Sequence, residues 1–438
     1  MKIIEKKLKT FISFCLSFSF LVFINAQELA FKYLQKTNPH DYIILNHVNV
    51  IPMDSMNKIL SNRTVIIHKG IIQEISTKVA LESNYPKSLV IDASGKYLIP
   101  GLHDMHSHFF NKDDLLLFVA NGVTTTRCMN GEDLFLDFKD EITKNKILGP
   151  TLFVSSPTIA DFSEDVEVLN TEELDDTGFE YVSTAEESIK LVKYHKQEGY
   201  DYIKIFNELN PEVLSAIFQE ANNQQIKVVG HVNIGIDPIA MHQHSIEHLV
   251  NSYFKDSVKL RNAAQSDVWL CPTLSMYVKQ NTDSANNRIL IRYASKQLMR
   301  EWKRWGAFYK ADDENQLYIL KDYQKMGGKI IAGTDCRLQY VIPGFSIHSE
   351  MELMVKYGLT PYEALKSATY NAADCLSRLK TSGTINLGKT ADLVLLNENP
   401  FVRISNTKTI EAVLLHNQWI SKKEIHMMLN DIAEKRKF

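Results

Sequence analysis

Short, mostly apolar runs recur along this chain, each with a polar, ligand-type side chain in it or at its end. The first leads from Leu98-Ile99-Pro100-Gly101 through Leu102-His103-Asp104-Met105 to His106-Ser107-His108. Tyr202-Ile203-Lys204-Ile205-Phe206, Val228-Val229-Gly230-His231, Ser245-Ile246-Glu247-His248 and Ile330-Ile331-Ala332-Gly333-Thr334-Asp335 follow. Helical patterns separate most of them. A parallel strand pair needs a long crossover, usually a helix, so the alternation predicts a parallel β/α architecture. Side chains alternate faces along a strand, so His106 and His108 share one face, where two imidazoles can bind a single metal ion.

Placed from the apolar runs, the strands cover residues 98–108, 123–127, 152–155, 202–206, 227–231, 245–248, 268–271 and 329–335. Thr184 followed by Glu187 is a capping-box signature for the helix before the fourth strand. Barrel active sites gather at the C-terminal strand ends. That geometry would bring His106, His108, Lys204, His231, His248 and Asp335 to one pit.

Further stretches complete a pattern. They are Asn121-Gly122-Val123-Thr124-Thr125-Thr126-Arg127, Gly358-Leu359-Thr360-Pro361-Tyr362-Glu363-Ala364-Leu365 and Gly388-Lys389-Thr390-Ala391-Asp392-Leu393-Val394. With Pro100-Gly101-Leu102-His103-Asp104-Met105-His106-Ser107-His108, Ile203-Lys204, His231, Ile246-Glu247-His248 and Gly333-Thr334-Asp335, they make the chain resemble the amidohydrolase superfamily, in particular its imidazolonepropionase-like and prolidase-like members. The resemblance runs from about Tyr42 to Ile420. It implies an α/β fold: a (β/α)8 TIM-like barrel over residues 100–381, with a small β-sandwich domain built from both chain ends, 42–99 and 382–420. Residues 421–438 are expected to form a helical tail.

The resemblance also implies two divalent metal ions. His106, His108 and Asp335 would hold one, His231 and His248 the other, and a carboxylated Lys204 would bridge them. Zinc suits imidazole and carboxylate ligands. An ammonium beside two cations would be repelled, whereas a lysine carbamate is an anionic oxygen ligand. Ile203 and Ile205 flank Lys204 and favour a buried lysine over a snorkelling one.

The implied activity is hydrolysis of C–N amide bonds in dipeptides, N-acyl amino acids or cyclic amides, by a metal-bridged hydroxide. Asp335 would be a metal ligand that also takes the proton and delivers it to the leaving amine. Arg127 and His348 are candidates for substrate binding, each weighed against a structural salt bridge. Asp104 is expected to orient a ligand or backbone, and His103, His242 and His244 to be non-ligands. A lactone or ester hydrolase, a heterocycle deaminase and a non-catalytic metal-binding protein are the alternatives. Against deamination, Ile234 stands where deaminases carry Glu; against a dead barrel, no ligand is missing. Asn233 and Cys128 depart from the family pattern, where a His and an Asp are frequent.

The 438 residues accommodate a barrel and one smaller domain. A net charge of −3 offers no nucleic-acid footprint, so the expected partner is a small-molecule amide or peptide, with oligomerisation left open. Lys2, Lys6, Lys7 and Lys9 precede the uncharged run Phe11 to Ile24, and Asn25-Ala26-Gln27 ends it. This reads as a signal peptide over residues 1–26, cleaved after Ala26, with a periplasmic or secreted destination. The apolar run is shorter than the ~20 residues of a spanning helix, so no stable membrane span is expected after processing. Cys128, Cys271, Cys336 and Cys375 form no Cys-x-x-Cys pair and are expected as free thiols. Residues 160–183 read as an acidic surface loop, and 275–318 as a long excursion whose Trp302, Trp305, Phe308 and Tyr309 belong largely to the core.

Overall fold

The computed structural model describes residues 29–34, 40–54, 57–161, 178–233, 235–251, 253–278, 289–305 and 314–437. The leader read in residues 1–26 lies outside them, as do the middle of the acidic loop, Phe308 and Tyr309.

In chain order the strands start with β1 (Tyr42–Val50), β2 (Leu60–His68), β3 (Ile71–Ser76), β4 (Ser88–Asp92) and β5 (Tyr97–Pro100). It continues through β6 (Leu102–Ser107), β7 (Val123–Cys128), β8 (Thr151–Asp161), β9 (Phe179–Val182), β10 (Tyr202–Ile205), β11 (Lys227–Gly230), β12 (Ser245–Glu247), β13 (Trp269–Cys271) and β14 (Lys329–Ile330). It ends with β15 (Leu393–Leu396), β16 (Ile410–Leu415), β17 (Gln418–Ser421) and the helix Lys422–Lys435.

Both chain ends build one eight-stranded sheet in the order β17-β16-β15-β5-β1-β2-β3, with β4 also on β1. The hydrogen bonding is continuous because β1 is long: β2 pairs along one edge, while β4 and then β5 pair along the other. Alternate residues of β1 enter different apolar clusters, Ile43 and Leu45 one and Ile44 another, as the two-residue strand period requires.

The second sheet is a parallel barrel wall in the order β6-β7-β8-β10-β11-β12-β13-β14, with β9 added beside β8. The run 98–108 is two strands rather than the single one expected. Gly101 is the break, and its N–H bonds to Asp392 O at 2.8 Å. A Cβ there would lie 2.0 Å from Thr124 Oγ1, so only glycine lets the chain pass from one sheet to the other. The eighth strand is also shorter than expected, ending at Ile330. Beyond it the chain still closes the barrel, irregularly: Ala332 O accepts from Met105 N at 2.8 Å, and Asp335 N donates to His106 O at 2.7 Å. Gly333 permits this approach, since a Cβ would meet Cys271 Sγ at 2.5 Å and His106 N at 2.6 Å. The third strand is longer than expected, running to Asp161, because β9 and β10 pair with its outer half.

The helix Lys112–Ala120 is capped by Asn111 and has Asp113 to Ala120 all buried. It packs between the barrel, the C-terminal helix and the short helix Leu29–Lys32. Its buried Leu and Phe side chains each contribute roughly 1.5–3 kcal/mol. Thr184 and Glu187 make the anticipated capping box. Trp302 packs on the main core and stands 5.4 Å from the Tyr340 ring. Among the described residues, no helix is long and apolar enough to cross a membrane.

Candidate metal centre

At the C-terminal ends of the barrel strands lies a recess of about 450 Å³, counting its open mouth. His106, His108, Lys204, His231, His248 and Asp335 all line it. The period-two geometry of β6 turns His106 and His108 to the same side, with ring centroids 5.5 Å apart. His106 and His248 are 4.9 Å apart, and His248 and His231 are 4.6 Å apart. Ligand atoms of His106, His248 and Asp335 fall within 4.8 Å of one another.

One ring has its proton fixed by its partner, and a second has a partner that permits the same tautomer. His106 Nδ1 lies 2.9 Å from Glu247 Oε2, and an acceptor-only carboxylate requires Nδ1 to carry the hydrogen. His248 Nδ1 lies 2.8 Å from Thr273 Oγ1, whose hydroxyl can donate to Pro272 O at 2.9 Å and so accept from the ring. In that tautomer both Nε2 lone pairs are left for a ligand. This is how metal-binding histidines are held elsewhere.

Asp335 Oδ1 is 3.8 Å from His106 Nε2 and 3.0 Å from His108 Nε2. It is buried, yet receives no aligned hydrogen bond from the described residues. A buried carboxylate oxygen without such a partner is costly. A cation held between it and the imidazoles would remove that cost, so the donor set fits a divalent metal.

The electrostatics agree. Burial depresses the protonation of His106, His108 and His231, and brings His248 to about 4, so all four rings are neutral, ligand-ready bases at pH 7. Burial opposes the charge of Asp335, but His106 and His108 hold its carboxyl below the ordinary range. Burial lowers Lys204 to about 8, so roughly a tenth of its amine is neutral at pH 7.

Two recess-lining positions carry left-handed backbone without being glycine, His248 at φ 71° and Asp335 at φ 53°, and so does Thr273 at φ 46°, the partner of the His248 ring. Such conformations gather at functional sites.

Two expected substrate contacts are elsewhere. Arg127 is fully buried beneath the recess, with Nε on Met105 O at 2.7 Å, Nη1 on Ser245 Oγ at 3.0 Å and Nη2 on Glu247 Oε1 at 2.8 Å. Its guanidinium is spent inside the barrel. His348 is buried too, with Nδ1 2.9 Å from Thr407 Oγ1 and Nε2 3.1 Å from Asn121 O. Both nitrogens tie the helix Ser346–Lys356 to its neighbours. Asp104 orients backbone, accepting from Thr334 N at 3.1 Å, Thr334 Oγ1 at 2.7 Å and His106 N at 3.3 Å. His103 and His244 bond to carbonyls of Gly101 and Cys375, and neither they nor His242 line the recess. Asn233 braces the loop below, accepting from Leu209 N and donating to Phe206 O. All four described cysteines are buried and none is in a disulfide.

Sequence reasoning missed Glu247. Its carboxylate joins His106, Arg127 and Ser245, and burial opposes its charge while Arg127 and Lys204 hold the carboxyl low. The available signal was a glutamate inside a buried strand, which demands a cationic partner.

A family model described as the amidohydrolase family matches residues 97–420. The chain is 24% identical over 413 residues to an ochratoxinase of Aspergillus niger, covering 81% of each protein. It is 22% identical over 393 residues to an imidazolonepropionase of Brevibacillus brevis, covering 79% of this chain and 86% of that one. Among solved structures, a Xaa-Pro dipeptidase with methionine in its active site superposes with a TM-score of 0.69 at 20% identity, covering 87% of this chain and all of the other.

Proposed function

The chain belongs to the amidohydrolase family, and from that premise we propose that it hydrolyses C–N amide bonds of small molecules at the recess just described. The observation that carries the reading is the buried Asp335 Oδ1, set among His106 and His108 without an aligned hydrogen bond, in the same recess as His231, His248 and Lys204. Relatives bearing names of amide-cleaving enzymes point the same way. The substrate class is dipeptides, N-acyl amino acids or cyclic amides.

His106, His108 and Asp335 would hold one divalent ion, His231 and His248 a second, and a carboxylated Lys204 would join them, with zinc the metal that best suits these donors. When bound, the ions supply activated water and polarise the scissile carbonyl. The chain's own residues do the rest. Neutral Lys204 Nζ adds to carbon dioxide and releases one proton, giving the anionic bridge. Asp335 takes a proton from the attacking water and returns it to the leaving nitrogen, so the carboxylate is regenerated each turn. Glu247 keeps His106 in the tautomer that leaves Nε2 to the metal, and Thr273 permits the same tautomer at His248. The leader read in residues 1–26 makes export part of the same proposal; protein from the native host should begin at Gln27, and an intact Met1 would refute that part.

Chelated protein reloaded with zinc tests the function against a panel of N-acyl amino acids and dipeptides. Turnover should vanish on chelation and return with metal. Metal analysis showing no bound ion after reloading, or no amide cleaved across the panel, would overturn it.

A further inference from the structure

Among the described residues lining the recess, two carry ordinarily cationic side chains: Lys204, in the floor, and Arg337. Arg337 sits two positions after Asp335, and its N–H bonds to Asp335 O at 2.7 Å, so a tight turn fixes the backbone of the one against that of the other. Its guanidinium Nη2 pairs with Glu301 on the helix Lys296–Trp305. The two side chains are only 13% and 9% exposed. Holding such a pair away from water is costly and adds little net stability. It does pre-shape a planar fork that recognises carboxylates, and a guanidinium can engage one carboxylate on each edge. The recess also has apolar lining, from Met129, Phe179, Phe206 and Leu338.

We propose that Arg337 anchors a carboxylate on the amine side of the substrate, with Glu301 as its resting counter-ion. The inference rests on the amide-hydrolase reading and narrows it to N-acyl amino acids, or dipeptides with a free C-terminus, whose acyl part is apolar. The carboxylate lies one carbon from the scissile nitrogen in such molecules, so an anchor tied to Asp335 by a two-residue turn places that nitrogen near the group that protonates it. Glu301 already neutralises part of the guanidinium's charge. It lowers the affinity for anions in general and favours ligands that also fill the apolar lining.

The test is a binding ratio, independent of turnover. Zinc-loaded protein is titrated with N-tosyl-L-leucine, whose sulfonamide resists cleavage, and with N-tosyl-L-leucinamide, which lacks the charge. The acid should bind at least ~10-fold tighter, the effect of one charge-assisted hydrogen bond. Arg337→Met should bring the ratio close to 1, Arg337→Lys should leave it in between, and Glu301→Gln should raise it above that of the unaltered protein. Because the ratio is taken within each variant, partial loss of folding moves both probes together and does not mimic the result. An unaltered protein without preference for the acid, or an Arg337→Met ratio unmoved, or a Glu301→Gln ratio that falls, would overturn the anchor. A preserved acid preference in protein that cleaves no amide would support the anchor while removing the hydrolase reading beneath it.

Discussion

Glu247 joins His106 to Arg127: Oε2 stands 2.9 Å from His106 Nδ1 and Oε1 stands 2.8 Å from Arg127 Nη2. Replacing the carboxylate therefore frees the imidazole to turn and to change tautomer. Glu247→Gln should weaken metal binding about 10- to 100-fold, the effect of losing a carboxylate behind a ligating histidine. Competition with a metal-buffering chelator would measure it, and unchanged affinity would show that His106 is held by other means.

Arg127→Met separates a structural arginine from a substrate-binding one. It leaves Glu247 buried without its guanidinium, which should cost about 3–5 kcal/mol of stability. Denaturant unfolding should show a lower midpoint, while KM for any cleaved amide stays within a few fold. A raised KM at undiminished stability would return Arg127 to the substrate.

Asp335→Asn should fold, since asparagine tolerates the left-handed backbone found at this position. It should lower kcat at least ~10²-fold through loss of proton transfer. Turnover equal to that of the unaltered protein would require another catalytic base.

Lys204 should show its chemistry through pH and carbon dioxide. Burial brings its amine to about 8, so the neutral form that reacts with carbon dioxide grows as pH rises through that value. At constant dissolved carbon dioxide, reloading to two ions per chain should be faster at pH 9 than at pH 6. Lys204→Ala should hold less metal and regain part of it, with activity, when short carboxylic acids are added. Two ions and full activity in Lys204→Ala would remove the carbamate bridge.

The four neutral imidazoles predict a second pH behaviour. His248 titrates at about 4 because burial penalises the cation. Lowering pH from 7 to 5.5 should therefore cost little metal affinity through this ring, whereas an ordinary histidine would be mostly protonated. A steep loss of bound metal near pH 6.5, followed by equilibrium dialysis, would contradict this.

The recess was legible because strand periodicity and barrel geometry act on sequence directly. His106 and His108 are two residues apart, and Lys204, His231, His248 and Asp335 each sit in or just beyond an apolar run, so local rules suffice to gather them. The link between Arg127 and Glu247 depends instead on which side chains meet inside the barrel, 120 positions apart in sequence. Arg127 at a strand end looks the same in the sequence whether it faces the recess or lies beneath it. The division of 98–108 at Gly101 was hidden for a similar reason. Its cause is the approach of Thr124 in β7 and of Asp392 just before β15, neither of which shows in the run itself. The same holds for the closing segment after Ile330, where Gly333 lets the chain lie against His106 and Cys271.

Left-handed backbone at His248, Thr273 and Asp335 has a consequence for anyone improving this protein. Each such residue raises the energy of the folded chain by on the order of 1–3 kcal/mol. Glycine at those positions would relax it. A library screened for heat resistance alone should thus drift toward His248→Gly, Thr273→Gly or Asp335→Gly, and its hardiest survivors would be inert barrels.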